Sequence, residues 1–503
     1  MKRKNNIQKN LVTAIAVLLM NSVPLLSRGS SDKDTKVTET VKTKNGWIQG
    51  TTVAGGEQPF HIFNGIPYAA PPVGPLRFTP PHPVTPWPGV RPAVEYGLNP
   101  AQAPGLFAPP KDTLSEDCLY LNVITPAVSQ EDHLPVLVTF HGGGLQMATV
   151  NSPLFASLGL PSHGLVTVGV NARLGVLGYM ALPELTQNSQ HKASGNYGTL
   201  DLIAAIEWVK KNIEHFGGDP NNVTIYGESG GGTKVLSLMS SPLAKGLFHR
   251  AIISSGTYSV AVNQSTLDRS EAQGTKVLEK LGIPSGPDAL TQLREKPWLD
   301  LINAATAANF RSDLTVDGWV LPDMISKIFK DGKQADAPVI VGANSAETLG
   351  YTYNTALASG MQSVKSKTYI YVFSYLPEAW RDLGGVVHGF ELMYAYGQLN
   401  GVNPYLALWP SVKSIFRASS PACDVLPNPA DLKLSPLPPG TEGKDISEAM
   451  QTILAQFVKT GSPNGTGLIN WPAYDPSKPE YFDIGEALLI NPWSPDAFKC
   501  HLR

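Results

Sequence analysis

The chain has 503 residues, 42% hydrophobic and only 16% charged, which excludes a disordered or fibrous protein and leaves ample apolar material for a large core. Its formal net charge is −2 at pH 7, and no basic run is present that would neutralise phosphates, so nucleic acid is not an expected partner. The three cysteines, Cys118, Cys423 and Cys500, form no CxxC pair, which removes structural zinc and thioredoxin-like chemistry.

In chain order, the first element is a processing segment. Lys2, Arg3, Lys4 and Lys9 precede the apolar stretch LVTAIAVLLM, and Ser27 and Gly29 offer small residues for cleavage after Gly29. The stretch is short for a bilayer span, so residues 1–29 read as a signal peptide. The protein is then expected to be exported, periplasmic or secreted, without stable membrane anchoring after processing. Loss of this segment removes five basic residues and no acidic one, leaving 34 Lys+Arg against 41 Asp+Glu, or −7. In an oxidising compartment Cys423 and Cys500 could pair.

The remainder, 30–503, shows no clear linker and reads as one domain. Six apolar, β-branched runs look like buried strands: 134–144, 164–175, 223–231, 250–257, 336–347 and 368–375. Between two of them, residues 200–216 have helical periodicity, with Leu200, Ile203, Ala204, Trp208 and Ile213 on one face. Strands alternating with helices predict an α/β fold with a mostly parallel sheet covered on both faces. The segment 258–335 has a more helical pattern and is expected to supply cap elements. In such a fold, function gathers at the carboxyl ends of the strands.

Glycine-dense stretches stand at two of those ends. Gly227-Glu228-Ser229-Gly230-Gly231 fits G-x-S-x-G, a sharp strand-to-helix turn that exposes a nucleophilic serine. A phosphate-binding loop is the rival reading, but Thr233-Lys234 reverses the order that loop requires. His141-Gly142-Gly143-Gly144 follows an earlier strand, as a loop of oxyanion donors would. Acyl transfer also needs a base and an acid, in the chain order Ser, Asp/Glu, His. Three histidines follow Ser229: His249 is too close in sequence, and His501 is three residues from the end. Elimination favours His388. Glu347 stands just beyond a strand and is the preferred acid; Asp317 is its competitor, though better placed to serve a turn.

At this point the residues resemble a family. FNGIPYAAPPVGPLRF (63–78), SEDCLYLNVITP (115–126), NARLGVLGY (171–179), the run from Gly195 to Gly232 and FVKTGSPNG (457–465) are similar to landmarks of the type-B carboxylesterases, the carboxylesterase/cholinesterase branch of the α/β-hydrolases. The resemblance runs from about Gly46 to the C-terminus. It implies a Ser229–Glu347–His388 triad, with backbone N–H groups of Gly143, Gly144 and Gly230 as the oxyanion hole. It also places Ser255 near the triad, and it implies no metal or organic cofactor.

Three departures from the family carry expectations of their own. Gly230 stands where alanine is usual, which implies a looser elbow. Cys118 has no cysteine before it and should be a free, buried thiol. Glu347 and His388 are only 41 residues apart, which implies a reduced cap and a more open pocket. No tryptophan lies between Trp87 and Cys118, so choline esters are not the expected substrates. The expected partner is a small to medium uncharged ester. Thioesters, carbamates and lipids stay open, as does an inactive binding or adhesion module on the same fold.

Overall fold

The computed structural model describes residues 36–498 apart from 57, 105–107, 258–263, 348, 379–384 and 400–442. The proposed signal segment, Cys423, Cys500 and His501 lie outside the described residues. Twelve strands form one sheet. In chain order they are β1 (Lys36–Val37), β2 (Thr51–Val53), β3 (Phe60–Pro67), β4 (Tyr120–Thr125), β5 (Leu134–Phe140) and β6 (Val166–Val170). They continue as β7 (Gly218–Glu228), β8 (Arg250–Ser254), β9 (Val339–Asn344), β10 (Thr368–Phe373), β11 (Glu480–Ile484) and β12 (Leu488–Pro492).

The spatial order is β1-β2-β3-β4-β6-β5-β7-β8-β9-β10-β11-β12. From β6 to β11 every neighbouring pair is parallel, and the pairs on both flanks are antiparallel. All six runs read as strands in the sequence lie in the parallel centre. This is the α/β-hydrolase architecture.

Alternation along the central strands explains why they read as continuous apolar runs. In β9, Val339 and Val341 enter one core while Ile340 enters the other. In β10, Ile370 and Val372 face the first core, whereas Tyr369, Tyr371 and Phe373 face the second. Both faces are therefore covered. Helices α1 (Tyr197–Asn212) and α2 (Gly230–Ser240) contribute to the first core. A C-terminal helix, Lys444–Thr460, covers the second with Met450, Ile453, Leu454, Phe457 and Val458.

Parallel register brings the carboxyl ends level. Phe140 pairs with Gly227, Glu228 with Ser254, Ser254 with Gly342, and Asn344 with Phe373. The loops after β5, β7, β8, β9 and β10 thus open on one edge. Between β8 and β9 run helices α3 (Leu267–Leu281), α4 (Ala289–Glu295), α5 (Trp298–Ala307) and α6 (Ile325–Lys330), within the stretch expected to supply cap elements.

Two buried ion pairs tie loops to this body. Arg77 grips Glu116 through Nε and Nη2 at 2.6 and 2.5 Å, and its Nη1 donates to the carbonyls of Leu293, Arg294 and Lys296 at the end of α4. Arg173 grips Asp201 of α1 through Nε and Nη2 at 2.8 and 2.6 Å. Asp201 is fully buried, and it also accepts from the Arg173 backbone N–H. Removing one charge of such a pair strands the other in a dry interior. Asp201→Asn is accordingly expected to cost about 3–5 kcal/mol of stability, measured by urea unfolding. A loss below about 1 kcal/mol would show that Arg173 finds other solvation.

Candidate active site

Strand β7 ends at Glu228, and Ser229 forms the turn into α2 with φ 56° and ψ −121°. A residue with a Cβ adopts that backbone only under strain, at a cost of about 1–3 kcal/mol. Two hydrogen bonds hold it: the Ser229 N–H donates to the Ser254 carbonyl at 2.9 Å, and the Thr233 N–H donates to the Ser229 carbonyl at 3.1 Å. The turn is so tight that backbone fills the space of side chains. A Cβ on Gly227 would lie 2.1 Å from the carbonyl carbon of Gly231, and one on Gly231 would lie 2.2 Å from the Phe140 oxygen.

The oxyanion-loop candidates lie directly against this turn. A Cβ on Gly230 would stand 2.1 Å from the Gly144 oxygen. The looser elbow expected from glycine at 230 is therefore not what is observed. The space of the missing methyl is taken by loop backbone, which closes onto the turn. Gly143 and Gly144 adopt positive φ, 82° and 65°. The N–H groups of Gly143, Gly144 and Gly230 donate to no protein acceptor among the described residues.

Glu347, just beyond β9, is buried and fully engaged. Its Oε1 pairs with His388 Nδ1 at 2.6 Å, and its Oε2 accepts from Ser255 Oγ at 2.6 Å and from the Asn344 N–H at 2.8 Å. Burial opposes its charge, but the His388 charge and these hydrogen bonds outweigh burial and hold the carboxyl below its usual range. Bonded in this way through Nδ1, the imidazole turns its other nitrogen, Nε2, toward Glu228. Nε2 stands 3.2 Å from Glu228 Oε1, an ion contact and not an aligned hydrogen bond. Ser229 Oγ makes no hydrogen bond among the described residues. It lies alongside Glu228 nonetheless: a Cβ on Gly142 would be 3.0 Å from Glu228 Oε2 and 3.4 Å from Ser229 Cβ.

Glu391 completes the charge cluster. It is fully buried, and Asn344 Nδ2 donates to its Oε2. Burial pushes Glu228 and Glu391 up toward neutrality, and the Glu347 charge adds to both. At His388, burial opposes protonation, but attraction from Glu228 and then Glu347 outweighs it, so its pKa is raised.

The rivals occupy other roles. Asp317 accepts from the Trp319 and Leu321 N–H groups and from Asn196 Nδ2, a turn role. His249 Nδ1 accepts from the Val223 N–H. Cys118 is a buried free thiol. Glu391 escaped the sequence reading, although its place three residues after His388 was a usable signal. Lys234, considered there only as a phosphate-loop lysine, is 1% exposed and faces His141. Among the described residues no cluster of His, Cys, Asp or Glu could hold a metal ion.

Chemically, a carboxylate-held imidazole at the same strand edge as a serine on a strained turn, with three loop and helix-start N–H groups lacking protein acceptors among the described residues, suits nucleophilic attack on a carbonyl. A profile described as Carboxylesterase family matches residues 37–364. Rat carboxylesterase 1E is 32% identical, covering 88% of this chain and 90% of its own length. A medium-chain fatty acyl-CoA hydrolase precursor from the duck Anas platyrhynchos is 30% identical, covering 93% and 92%. Among solved structures, a PNB esterase aligns with a TM-score of 0.73 at 27% identity, covering 90% of this chain and 97% of that one. A Geobacillus stearothermophilus carboxylesterase gives 0.72 at 26%, covering 92% and 100%.

Glu228→Gln tests the electrostatics of the site. Removing that negative charge should lower the His388 pKa, so the neutral base persists to lower pH. The acid limb of kcat/KM for p-nitrophenyl acetate should move down by about half a pH unit or more. An unmoved limb would mean that Glu228 does not act on the imidazole.

Proposed function

The chain belongs to the carboxylesterase family, and from that membership and the geometry above we propose that it hydrolyses small to medium uncharged esters through Ser229, His388 and Glu347. Carboxylic ester hydrolysis is the activity of the family; the residue roles and the substrate range are the proposal. The observation that carries it is the 2.6 Å bond between Glu347 and His388 at the edge where Ser229 is displayed with φ 56°.

In the proposed mechanism Ser229 Oγ attacks the ester carbonyl carbon, and its proton passes to His388 Nε2. Nε2 must turn from its contact with Glu228 toward Oγ, in keeping with catalytic hydrogen bonds that tighten only once substrate is bound. Glu347 keeps the proton on Nδ1 and stabilises the imidazolium. The N–H groups of Gly143, Gly144 and Gly230 receive the developing oxyanion, aided by the N-terminus of α2. The alcohol leaves with the proton from His388, giving an acyl-serine. Water then gives a proton to His388 as its hydroxyl adds to the acyl carbon, and the acid departs as Ser229 Oγ leaves and takes that proton back from His388.

The charges recorded around His388 are the carboxylates of Glu228, Glu347 and Glu391, which disfavour an acyl group bearing its own negative charge. Similarity to the duck protein supports a second reading, a thioesterase acting on medium-chain acyl groups. Export after removal of residues 1–29 and a cap formed around 258–335 belong to the same proposal. Among the described residues no helix is long and apolar enough to cross a membrane.

Turnover of p-nitrophenyl acetate, butyrate, octanoate and palmitate, with octanoyl-CoA alongside, tests both readings. Ser229→Ala should lose about 10³-fold or more in kcat on every ester and should resist fluorophosphonate labelling. A variant that keeps its turnover would remove Ser229 from the chemistry. Preference for octanoyl-CoA over p-nitrophenyl octanoate would favour the thioesterase.

A further inference from the structure

Lys234 is the fifth residue of α2 and one of the largest fully buried side chains. Burying an ammonium is costly unless it is paired, yet among the described residues no carboxylate pairs with it. Its partners all belong to His141: Nζ lies 2.9 Å from the His141 carbonyl oxygen, 3.3 Å from Nε2 and 3.4 Å from Nδ1. A lysine in that position has been placed for His141.

The donor logic is closed by one further contact. His141 Nδ1 lies 2.8 Å from the Gly142 carbonyl oxygen. A carbonyl can only accept, so Nδ1 carries the ring proton and Nε2 carries the lone pair. Lys234 Nζ, almost equidistant from the two ring nitrogens, sits against the ring and not along the Nε2 lone pair, so its clear hydrogen bond to this loop is the one to the His141 carbonyl. The Lys234 amine, whose pKa burial lowers to about 7, donates to the His141 carbonyl and packs against the ring, and the ring Nδ1–H donates to the Gly142 oxygen. Burial, and secondarily the Lys234 charge, hold the His141 pKa well below its usual value, so the ring stays neutral as this requires.

The Gly142 carbonyl and the Gly143 N–H belong to one planar peptide unit. Fixing that oxygen fixes the direction of the Gly143 N–H. The second lysine bond, to the His141 carbonyl, fixes the preceding peptide plane in the same way. Three successive glycines have no side chains to hold them and many accessible backbone states. Such a loop needs a brace from outside.

We propose that Lys234, acting through His141, is a positioning residue that orients the Gly143 N–H for the oxyanion. This rests on the reading of Gly143 as an oxyanion donor. Lys234 touches neither substrate nor Ser229 in this role; it holds the His141 carbonyl and ring, and the ring holds the Gly142–Gly143 peptide plane.

The test is Lys234→Met, which keeps the volume and removes the donor, measured beside wild type in the full-length protein. An acetyl ester substrate gives kcat and KM, and an alkyl trifluoromethyl ketone reports the oxyanion site against its parent methyl ketone. The expected result is a fall in kcat of about tenfold to a hundredfold, KM within about twofold, and a parallel loss of trifluoromethyl ketone affinity. A folded variant with kcat and ketone affinity unchanged would overturn the proposal. So would a lower melting temperature with both unchanged, since the lysine would then serve packing alone. If Lys234→Met does not fold, His141→Phe keeps the ring volume and removes both ring nitrogens, and with them the bond to Gly142 and the ring contacts of Lys234; it should give the same parallel loss, and unchanged kinetics would again overturn the proposal. Wild-type protein that binds the trifluoromethyl ketone no better than the methyl ketone would sink the oxyanion reading itself, and the brace with it.

Discussion

The close approach of three backbone segments at the end of β5 and β7 is the constraint on which this site depends. The Phe140 oxygen lies 2.2 Å from where a Cβ on Gly231 would stand, and Gly144 backbone lies 2.1 Å from the same position on Gly230. No side chain fits between these segments. The density of glycine around Ser229 is the sequence record of that contact. Any methyl introduced there must push the oxyanion-loop candidates away from the serine or distort the turn that displays it. Parallel register sets the approach in turn, because Phe140 and Gly227 are paired across the sheet.

Charge is the second constraint, and it works against burial. Three carboxylates surround one imidazole in a region from which solvent is nearly excluded. Glu347 remains anionic because it has a full set of donors: His388, Ser255 and the Asn344 N–H. Glu228 and Glu391 lack such a set, each having an oxygen without a hydrogen-bond partner among the described residues. Burial therefore drives their pKa values upward, to about 7 for Glu228 and about 8 for Glu391, so near neutral pH both are only partly ionised. The cluster thus carries less negative charge than its three acids imply.

Much of this was legible in the sequence, for identifiable reasons. The six central strands were visible because strands covered on both faces are apolar at successive positions. The sequence also pointed to Glu347 and His388, since chain order and elimination left little else. Structure brings those two side chains together and puts Ser255 on Glu347, while their catalytic roles remain the proposal. Edge strands were not legible: β1, β2 and β12 are short or half exposed and lack an apolar signature. Gly230 misled, because the absence of a methyl says nothing about what fills its place. Lys234 was invisible as a brace, since a lone lysine in a helix normally points to water.

The arrangement of charges also bears on the chemistry proposed here. Attack by Ser229 creates an imidazolium and an oxyanion together. Carboxylates near the imidazole stabilise the first and destabilise the second, so a site built only from acids would gain little. Two features offset this. Partial protonation of Glu228 and Glu391 reduces the field that the oxyanion meets, while Glu347, aligned on Nδ1, retains its hold on the imidazolium. On the other side of the reaction, the donors that receive the oxyanion are backbone groups with fixed directions, and their worth depends on aim. A 1 Å error in such a donor forfeits much of the roughly 3–4 kcal/mol it supplies. That gives a physical reason for a buried lysine without a counter-charge: its cost is offset by the stiffness it gives a loop that glycine alone leaves free.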